Sequence, residues 1–278
     1  MENLNNIIDS VSQNIRETPH GTYKGNDDLL HCKKCNKPVQ CKVEFMGRQK
    51  TVNCICDCVV AEMKEQQQLE ADQEKKKKLA AAKQTGFSDS VMIKWTFAND
   101  NGNNAEIMRA MKRYCENFKE FKESGRGLLL YGNVGTGKTY AAAAIANELI
   151  ESGFNVLMTN FSKIINKLQS TFDGREEYLN RLNDFDLLII DDLAAERQTE
   201  YMQENIYNVI DSRYRSNKPL IITTNLTIDE LKNPDNISKA RTFDRIIEKC
   251  YPVEFKGVSQ RRKKITAEYQ DVKNKLGL

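Results

Sequence analysis

The stretch "GLLLYGNVGTGKTYAAAAIANELI", residues 127–150, joins an apolar run to a helix-forming run through a glycine-rich loop. The apolar run is typical of a buried strand, and the alanine-rich run is typical of a helix. Between them, glycines allow main-chain N–H groups to approach a phosphate, and Lys138 and Thr139 follow at once. The order of strand, loop and helix predicts a phosphate-binding loop.

Each part of this loop has an expected role toward ATP and Mg²⁺. The Lys138 ammonium is expected to pair with the β- and γ-phosphate oxygens, and the Thr139 hydroxyl is expected to ligate the magnesium ion. The predicted nucleotide-binding residues of the loop are Gly132, Asn133, Val134, Gly135, Thr136, Gly137, Lys138 and Thr139.

Short apolar runs alternate with amphipathic stretches through the rest of the chain. This alternation is the pattern of a parallel sheet covered by helices, and it predicts an α/β fold with five strands. The five runs are "GLLLYG", "FNVLMTN", "FDLLIIDD", "PLIITTN" and "YPVEF".

Two acidic residues end the strand predicted for "FDLLIIDD". We expect Asp191 to hold the magnesium ion through water. Asp192 stands where many ATPases have a water-activating glutamate, and its side chain is one methylene shorter. Because a general base must come within about 3 Å of the proton it takes, directly or through one water, slow hydrolysis is expected.

A polar residue also follows the strand predicted for "PLIITTN". Asn225 is expected to orient the attacking water, with Thr224 as the alternative sensing residue. A purely structural interpretation of Asn225 is that it caps the helix predicted in "LTIDELK".

The chain has eight cysteines, six of which precede residue 60. Cys32 and Cys35 form one close pair, and "NCICDC" supplies three more thiols, a spacing that suits tetrahedral zinc. The predicted Zn²⁺ ligands are Cys32, Cys35, Cys56 and Cys58. Cys54 is the nearest rival, Cys41, His20 and His31 are further alternatives, and a set of reduced, partly buried cysteines would need no metal.

Composition divides the chain into three parts. Residues 1–60 are predicted to be a cysteine-rich zinc module, and residues 85–278 an ATPase domain. Residues 61–84 contain no glycine or proline and consist almost wholly of strong helix formers, which predicts a charged helical connector. Few residues follow the last strand, which ends at Phe255, so a shortened C-terminal lid is expected.

The net charge of +3 is too small to indicate nucleic-acid binding, although residues 256–278 are locally basic. No apolar run approaches the roughly 20 residues of a membrane span, and the N-terminus has acids where a signal peptide would have lysines. A cytoplasmic protein without membrane contact is expected.

From about Thr85 onward the chain resembles the AAA+ helicase loaders of the DnaC/DnaI type, including phage-encoded relatives. The resemblance rests on "GNVGTGKT", "LLIIDDLAAERQTEYMQENIYNVIDSRY", "KPLIITTN" and "RTFDRI". The segment "HCKKCN…NCICDC" is similar to the cysteine-rich N-terminal module of these loaders. The ATPase core also resembles IstB-type ATPases.

The resemblance implies two arginine roles. Arg245 matches the arginine finger that reaches the ATP of a neighbouring subunit, with Arg241 as the alternative. Arg261 matches a nucleotide-sensing arginine, with Arg262 close behind. A homo-oligomer formed through the ATPase domain is therefore expected.

The implied function is that of an ATP-dependent loader in the initiation of DNA replication. Its zinc module would bind a replicative hexameric helicase of the DnaB type, and its ATPase domain would bind single-stranded DNA and act as a switch with slow hydrolysis. Two alternatives are an ATP-binding regulator of a transposase and a nucleotide-gated binding module that hydrolyses little ATP. The cysteine module favours the loader.

Overall fold

The computed structural model describes residues 19–45, 47–170, 174–193, 199–257, 259, 260, 265, 269 and 272–276. The chain divides into two compact units, Met1–Lys77 and Lys78–Leu278.

The first unit is built on two small antiparallel ribbons. Strand β1 (Thr22–Lys24) pairs with β2 (Leu30–Cys32), and β3 (Gln40–Phe45) pairs with β4 (Arg48–Asn53). Among its described residues, Cys32, Val39 and Cys56 form the buried cluster. A cluster of this size buries little apolar area, so a unit of this kind needs a cross-link such as a metal ion.

Helix α1 spans Asp57–Gly86 and confirms the helix predicted for residues 61–84, with a start four residues earlier. Asp57 lies in its first turn, where a carboxylate interacts favourably with the helix dipole. Most of its side chains up to residue 77 are exposed, as expected for a charged, solvated helix.

The second unit contains the five-stranded parallel sheet that the sequence predicts. Its strands are β5 (Gly127–Gly132), β6 (Val156–Asn160), β7 (Leu187–Leu193), β8 (Leu220–Thr224) and β9 (Cys250–Phe255). They lie in the order β6-β7-β8-β5-β9, and every neighbouring pair is parallel. The α/β fold class is confirmed.

Helices complete the second unit, with a buried apolar cluster on each side of the sheet. They are α2 (Ala105–Glu116), α3 (Phe118–Ser124), α4 (Lys138–Glu151), α5 (Phe161–Ser170), α6 (Arg175–Asp184), α7 (Glu200–Arg215), α8 (Ile228–Lys232) and α9 (Ile237–Lys249), with 3₁₀ turns at Ser90–Lys94 and Phe97–Asn99. Within the described residues, no helix has the length and apolarity to cross a membrane. The segment predicted as a shortened lid lies largely outside the described residues.

A buried arginine fixes the starts of two strands. The Arg213 guanidinium donates to the carbonyl oxygens of Phe185 at 2.9 Å and Asp186 at 3.1 Å, next to the start of β7. It also donates to the Pro219 carbonyl oxygen at 2.8 Å, next to the start of β8. The opposite ends of these strands carry the polar residues of the candidate site.

Candidate functional site

The phosphate-binding loop lies between the end of β5 at Gly132 and the start of α4 at Lys138. Gly132 has φ +125°, and a Cβ there would lie 2.4 Å from the carbonyl oxygen of Phe255. Gly137, the N-cap of α4, has φ +102°. Both positions require glycine, because a side chain would be strained there, and the resulting backbone leaves the first N–H groups of α4 facing the loop.

Side chains and backbone from distant segments hold the loop in this shape. The Asn104 side chain donates to the Thr136 carbonyl oxygen at 2.7 Å, and the Gln260 backbone N–H donates to the Gly135 carbonyl oxygen at 2.8 Å. The Thr136 hydroxyl donates to the Asn133 carbonyl oxygen at 2.8 Å. Asn104 and Gln260 were not identified from the sequence, because nothing in their local pattern links them to the loop.

The ammonium group of Lys138 lies at the mouth of the loop. Its Nζ donates to the carbonyl oxygens of Gly132 and Asn133, both at 2.7 Å, and to Oδ1 of Asn225 at 2.9 Å. Lys138 is only 6% exposed. An ammonium group at this position is well placed to bind an anionic ligand.

The two aspartates lie at an irregularity in β7. Ile190 pairs with Ile222 of β8, but the next pair is Leu193 with Thr224, so β7 has one extra residue between these two pairs. Asp192 has φ +62° at this bulge. A bulge changes the direction of successive side chains, and sequence alternation alone does not predict it.

Thr223 connects both aspartates. Its hydroxyl donates to Oδ1 of Asp191 at 2.6 Å and accepts from the backbone N–H of Asp192 at 2.8 Å. Thr139 also forms a side-chain hydrogen bond with Asp191. Burial raises the pKa of Asp191, although both hydroxyl donors favour the carboxylate. The pairing of a carboxylate with the loop hydroxyl fits the oxygen ligands that Mg²⁺ prefers.

Asn225 contacts the lysine of the loop and the second aspartate. Its Oδ1 accepts from Lys138, and its Nδ2 donates to Oδ1 of Asp192 at 3.2 Å. The capping interpretation of Asn225 is wrong, because Thr227 caps α8 and forms a capping box with Glu230. The alternative residue, Thr224, is fully buried and donates its hydroxyl to the Leu193 carbonyl oxygen at 2.9 Å.

A cavity of ≈ 160 Å³ lies beside the loop. Amide side chains and Tyr140 dominate its lining, and the hydrogen bond between Asn104 and Thr136 joins it to the loop. Its residues are Asn99, Asp100, Asn101, Asn103, Asn104, Met108, Thr136, Gly137, Tyr140 and Gln260.

The two arginines of α9 differ in their surroundings. The Arg245 guanidinium lies 2.7 Å from Oδ1 of Asp211 and stacks over the rings of Tyr207 and Tyr214, with 4.8 Å and 5.6 Å to the ring centroids. Its side chain is 25% exposed. Arg241 is exposed. The role of Arg245 at a neighbouring subunit stays a prediction, and Arg261 and Arg262 lie outside the described residues.

Four cysteines of the first unit converge on one point. The sulfur atoms of Cys32, Cys35, Cys56 and Cys58 all lie within 4.8 Å of one another, with 3.2 Å between those of Cys56 and Cys58. Tetrahedral zinc with sulfur ligands at about 2.3 Å requires sulfur atoms about 3.8 Å apart. The four thiols therefore fit Zn²⁺, and they are the set that the sequence predicts.

The local backbone favours the thiolate of Cys32, whereas a hydrogen bond with the Cys56 thiol raises the pKa of Cys58. The backbone N–H of Cys35 donates to the Cys32 sulfur and lowers the pKa of that thiol to about 6. Cys35 lies in the turn after β2, while Cys56 and Cys58 flank the start of α1 at Asp57. Each pair therefore comes from one turn of the chain, as the spacing predicts.

The rival ligands have other partners. Cys54 forms a side-chain hydrogen bond with Cys41. His20 lies 2.9 Å from the Glu62 carboxylate, and His31 lies 3.0 Å from the Asp27 carboxylate. The structure thus separates Cys54, the nearest rival, from the cluster.

Comparison with known proteins gives one family and several similar proteins. The model of the family "IstB-like ATP binding protein" matches residues 52–267. The replicative helicase loader DnaI of Bacillus subtilis strain 168 is 29% identical over 167 residues, which are 55% of this chain and 54% of DnaI. The replicative helicase loader DnaC of Escherichia coli strain K12 is 31% identical over 128 residues, which are 45% of this chain and 52% of DnaC.

The chain therefore matches about half the length of these two relatives. A crystal structure of DnaI is similar to this one with a TM-score of 0.51 and 25% sequence identity, over 64% of this chain and 98% of that one. The resemblance to loaders of the DnaC/DnaI type, made from the sequence motifs, is confirmed by these comparisons.

Proposed function

Because the chain belongs to the family of IstB-like ATP binding proteins, we propose that it is an ATP-dependent loader of a replicative helicase, acting in the initiation of DNA replication. The names of its relatives DnaI and DnaC, both replicative helicase loaders, support this choice within the family. The observation that carries it is the convergence of Lys138 at the start of α4, Asp192 in β7 and Asn225 just after β8, in a chain that also carries a four-cysteine cluster.

The nucleotide step follows from the geometry of the loop. Lys138 and the first N–H groups of α4 bind the β- and γ-phosphates. The amide-lined cavity beside the loop binds the nucleoside. Thr139 and Asp191 would hold the Mg²⁺ ion, which would neutralise charge at the phosphates. Arg261 is proposed to sense the bound nucleotide.

Hydrolysis needs one water aligned with the γ-phosphorus. Asn225 orients this water, and Asp192 accepts its proton as the water oxygen bonds to the γ-phosphorus. The bond between the γ-phosphorus and the bridging oxygen of the β-phosphate breaks, and ADP and phosphate leave. The short Asp192 side chain is at the limit of reach, so turnover is slow. The protein thus serves as a switch whose state depends on the bound nucleotide.

The parts of the chain divide the work. Residues 1–60 form the zinc module and bind the helicase. Residues 61–84 connect this module to residues 85–278, which form the AAA+ ATPase domain. This domain binds single-stranded DNA and assembles with further copies of the chain, so that an arginine of α9 reaches the neighbouring nucleotide. Arg241 is better placed than Arg245 for this reach, because Arg245 is engaged with Asp211.

A loading assay tests the proposal. The purified helicase of the source cell is mixed with circular single-stranded DNA, Mg-ATP and either wild-type protein or Lys138→Ala, and DNA-bound helicase is measured after separation. Wild-type protein is expected to increase the amount of loaded helicase. Lys138→Ala is expected to abolish this increase, whereas Lys119→Ala, at an exposed position of the same unit, retains it. No increase with wild-type protein would refute the proposal.

A second candidate is an ATP-binding regulator of a transposase, which the family name favours. Binding to the same helicase distinguishes the two candidates. A transposase regulator has no affinity for it, with or without ATP.

A further inference from the structure

The two segments that hold the phosphate-binding loop bond to consecutive peptide groups. The Asn104 side chain donates to the Thr136 carbonyl oxygen at 2.7 Å, and the Gln260 backbone N–H donates to the Gly135 carbonyl oxygen at 2.8 Å. Asn104 and Gln260 also line the amide-lined cavity beside the loop. The loop is therefore attached to the wall of this cavity through two neighbouring carbonyl groups.

Each of these carbonyl groups shares a rigid peptide unit with the N–H of the next residue. The Thr136 carbonyl lies in one peptide with the Gly137 N–H, and the Gly135 carbonyl lies in one peptide with the Thr136 N–H. Both peptides are trans. Because a trans peptide is planar, its C=O and N–H point in opposite directions. Bonding of both carbonyls to the cavity wall therefore directs the Thr136 and Gly137 N–H groups away from this wall, into the loop.

Burial makes the bond from Asn104 consequential. Thr136 is only 1% exposed, so its carbonyl oxygen depends on a protein partner instead of bulk water. Loss of the Asn104 donor would leave a buried acceptor unpaired, which favours rotation of the peptide toward another partner. The same rotation would turn the Gly137 N–H out of the loop. The orientation of this N–H thus depends on Asn104.

Helix capping does not explain Asn104. It is the N-cap residue of α2, and asparagine is among the preferred N-cap residues because its side chain accepts from the first turn. In the described part of the chain, its side chain makes no such capping bond. Asn236, the N-cap of α9, does accept from the Lys239 N–H, at 2.8 Å. The Asn104 side chain is thus used for the loop and not for its own helix.

We propose that Asn104 is a positioning residue for phosphate binding, because by holding the Thr136 carbonyl it directs the Gly137 N–H toward the phosphates. Gln260 does the same for the Thr136 N–H through its own backbone. The inference rests on the proposed function, and it adds residues outside the loop motif that set the affinity for a triphosphate chain. Backbone N–H groups of such loops are the donors that hold phosphate oxygens.

The arrangement has a reciprocal consequence. A ligand that binds better when both N–H groups face into the loop must also stabilise the bonds that direct them. A bound triphosphate should therefore strengthen the hydrogen bond from the Gln260 N–H. Since Gln260 follows the end of β9 at Phe255 closely, the start of the segment after the sheet is linked to phosphate binding.

Two ligands separate positioning from direct contact in the cavity. Mg-ATP contains a nucleoside and a triphosphate, whereas Mg-tripolyphosphate contains the phosphate chain alone. Asn104→Ala in the full-length chain should weaken both by a similar factor of about 10, because it removes a hydrogen bond to a buried carbonyl and misdirects one phosphate-binding N–H. Competition with a fluorescent ATP analogue measures both affinities.

Matched variants control for the other roles of an asparagine. Asn236→Ala removes an asparagine that caps a helix, and it should change tripolyphosphate affinity less than about 2-fold. Asn103→Ala changes a residue of the same cavity and should lower the affinity for ATP more than that for tripolyphosphate.

A second pair of variants tests the bond from Gln260. Gln260→Pro removes the backbone donor and Gln260→Ala retains it, so the proline variant should bind tripolyphosphate about 10-fold more weakly than the alanine variant. Circular dichroism verifies folding, and this pair keeps the test decisive if Asn104→Ala does not fold. Hydrogen exchange gives a readout besides affinity, since the Gln260 N–H of wild-type protein should exchange more slowly with Mg-tripolyphosphate bound.

Several results would overturn the inference. If Asn104→Ala lowers the affinity for ATP and keeps that for tripolyphosphate, Asn104 contacts the nucleoside instead. If Asn104→Ala and Gln260→Pro keep both affinities, or exchange at Gln260 does not slow, phosphate binding is independent of these bonds and the loader function stands. An equal loss in Asn236→Ala would indicate general destabilisation. Absence of Mg-ATP binding by wild-type protein refutes the proposed function itself, and with it this inference.

Discussion

The ammonium group of Lys138 lies 2.9 Å from Oδ1 of Asn225, and the amide of the same asparagine donates to Asp192 at 3.2 Å. One side chain therefore contacts both the proposed phosphate-binding amine and the proposed general base. A phosphate that takes up hydrogen bonds of Lys138 would alter the bonds of Asn225, and this provides a short path from nucleotide binding to the base.

Asp192→Asn is expected to retain Mg-ATP affinity within about 3-fold and to lower kcat by about 10²- to 10⁴-fold, because it removes the proton acceptor. Lys138→Ala is expected to lose binding as well. A fluorescent ATP analogue measures binding, and phosphate release measures turnover. Equal loss of affinity in both variants would show that Asp192 has a structural role.

Thr223→Val is expected to weaken Mg²⁺-dependent ATP binding and to destabilise the second unit by about 1–3 kcal/mol, because Asp191 and the Asp192 N–H each lose a hydrogen-bond partner. Thr224→Val is the matched control. It also removes a buried hydroxyl, bonded to the Leu193 carbonyl oxygen, so it should lower stability and leave Mg²⁺ dependence unchanged. Magnesium titrations at fixed ATP separate the two. A similar Mg²⁺ dependence in both variants would contradict the role of Thr223.

The purified chain is expected to contain about one zinc per molecule. Cys54→Ser should retain this zinc, because Cys54 contacts Cys41 outside the cluster, whereas Cys56→Ser should lose most of it. Elemental analysis of protein that has not been exposed to chelator gives the metal content. Loss of zinc in Cys54→Ser together with retention in Cys56→Ser would reverse the ligand assignment.

Arg245→Ala is expected to lower the free energy of unfolding by about 1–2 kcal/mol, since it removes the contact with Asp211 and the stacking on two tyrosines. Arg241→Ala should leave the free energy of unfolding unchanged and should lower the ATPase activity. Mixing an arginine variant with Lys138→Ala should restore activity only for the arginine that acts in the neighbouring subunit, which we expect to be Arg241. Restoration by Arg245→Ala instead would return that role to Arg245.

Asp186 provides a test of pH dependence. Burial alone would raise its pKa, but the ion pair with Lys122 at 2.7 Å and the bond from the Asn155 N–H at 3.0 Å outweigh burial and lower it below 3.8. A lowered pKa in the folded state stabilises the protein above the unfolded-state value, and this stabilisation is lost as the pH falls through the folded-state pKa.

Asp186→Asn should therefore cost about 1–2 kcal/mol at pH 7, with a smaller difference from wild type at pH 4 and below. Urea unfolding followed by the fluorescence of Trp95, the single tryptophan, measures the second unit. Asp184→Asn, at an exposed position, is the control and should show no such trend. A cost independent of pH would contradict the charge-based explanation.

The sequence determined the fold class and the identity of the main site residues. Five apolar runs, each ending near polar or glycine residues, fixed the strands, because parallel strands that are buried on both faces need continuous apolar side chains. The glycines and Lys138 fixed the phosphate-binding loop, since their chemistry depends on short-range order along the chain. The close spacing of Cys32 with Cys35 and of Cys56 with Cys58 indicated the four-thiol cluster for the same reason.

Only the tertiary structure decided which residues from distant segments meet. Asn104 holds the loop across 32 positions of sequence, and Thr223 joins both aspartates across a strand boundary. The bulge at Asp192 depends on the pairing of β7 with β8. Cys54 lies outside the zinc cluster because its backbone hydrogen bond to Val39 extends the pairing of β3 with β4 and places its thiol beside Cys41. Such contacts arise from packing between segments, and no local pattern of residues specifies them, because each of these side chains would be equally compatible with a solvent-exposed position in its own stretch of sequence.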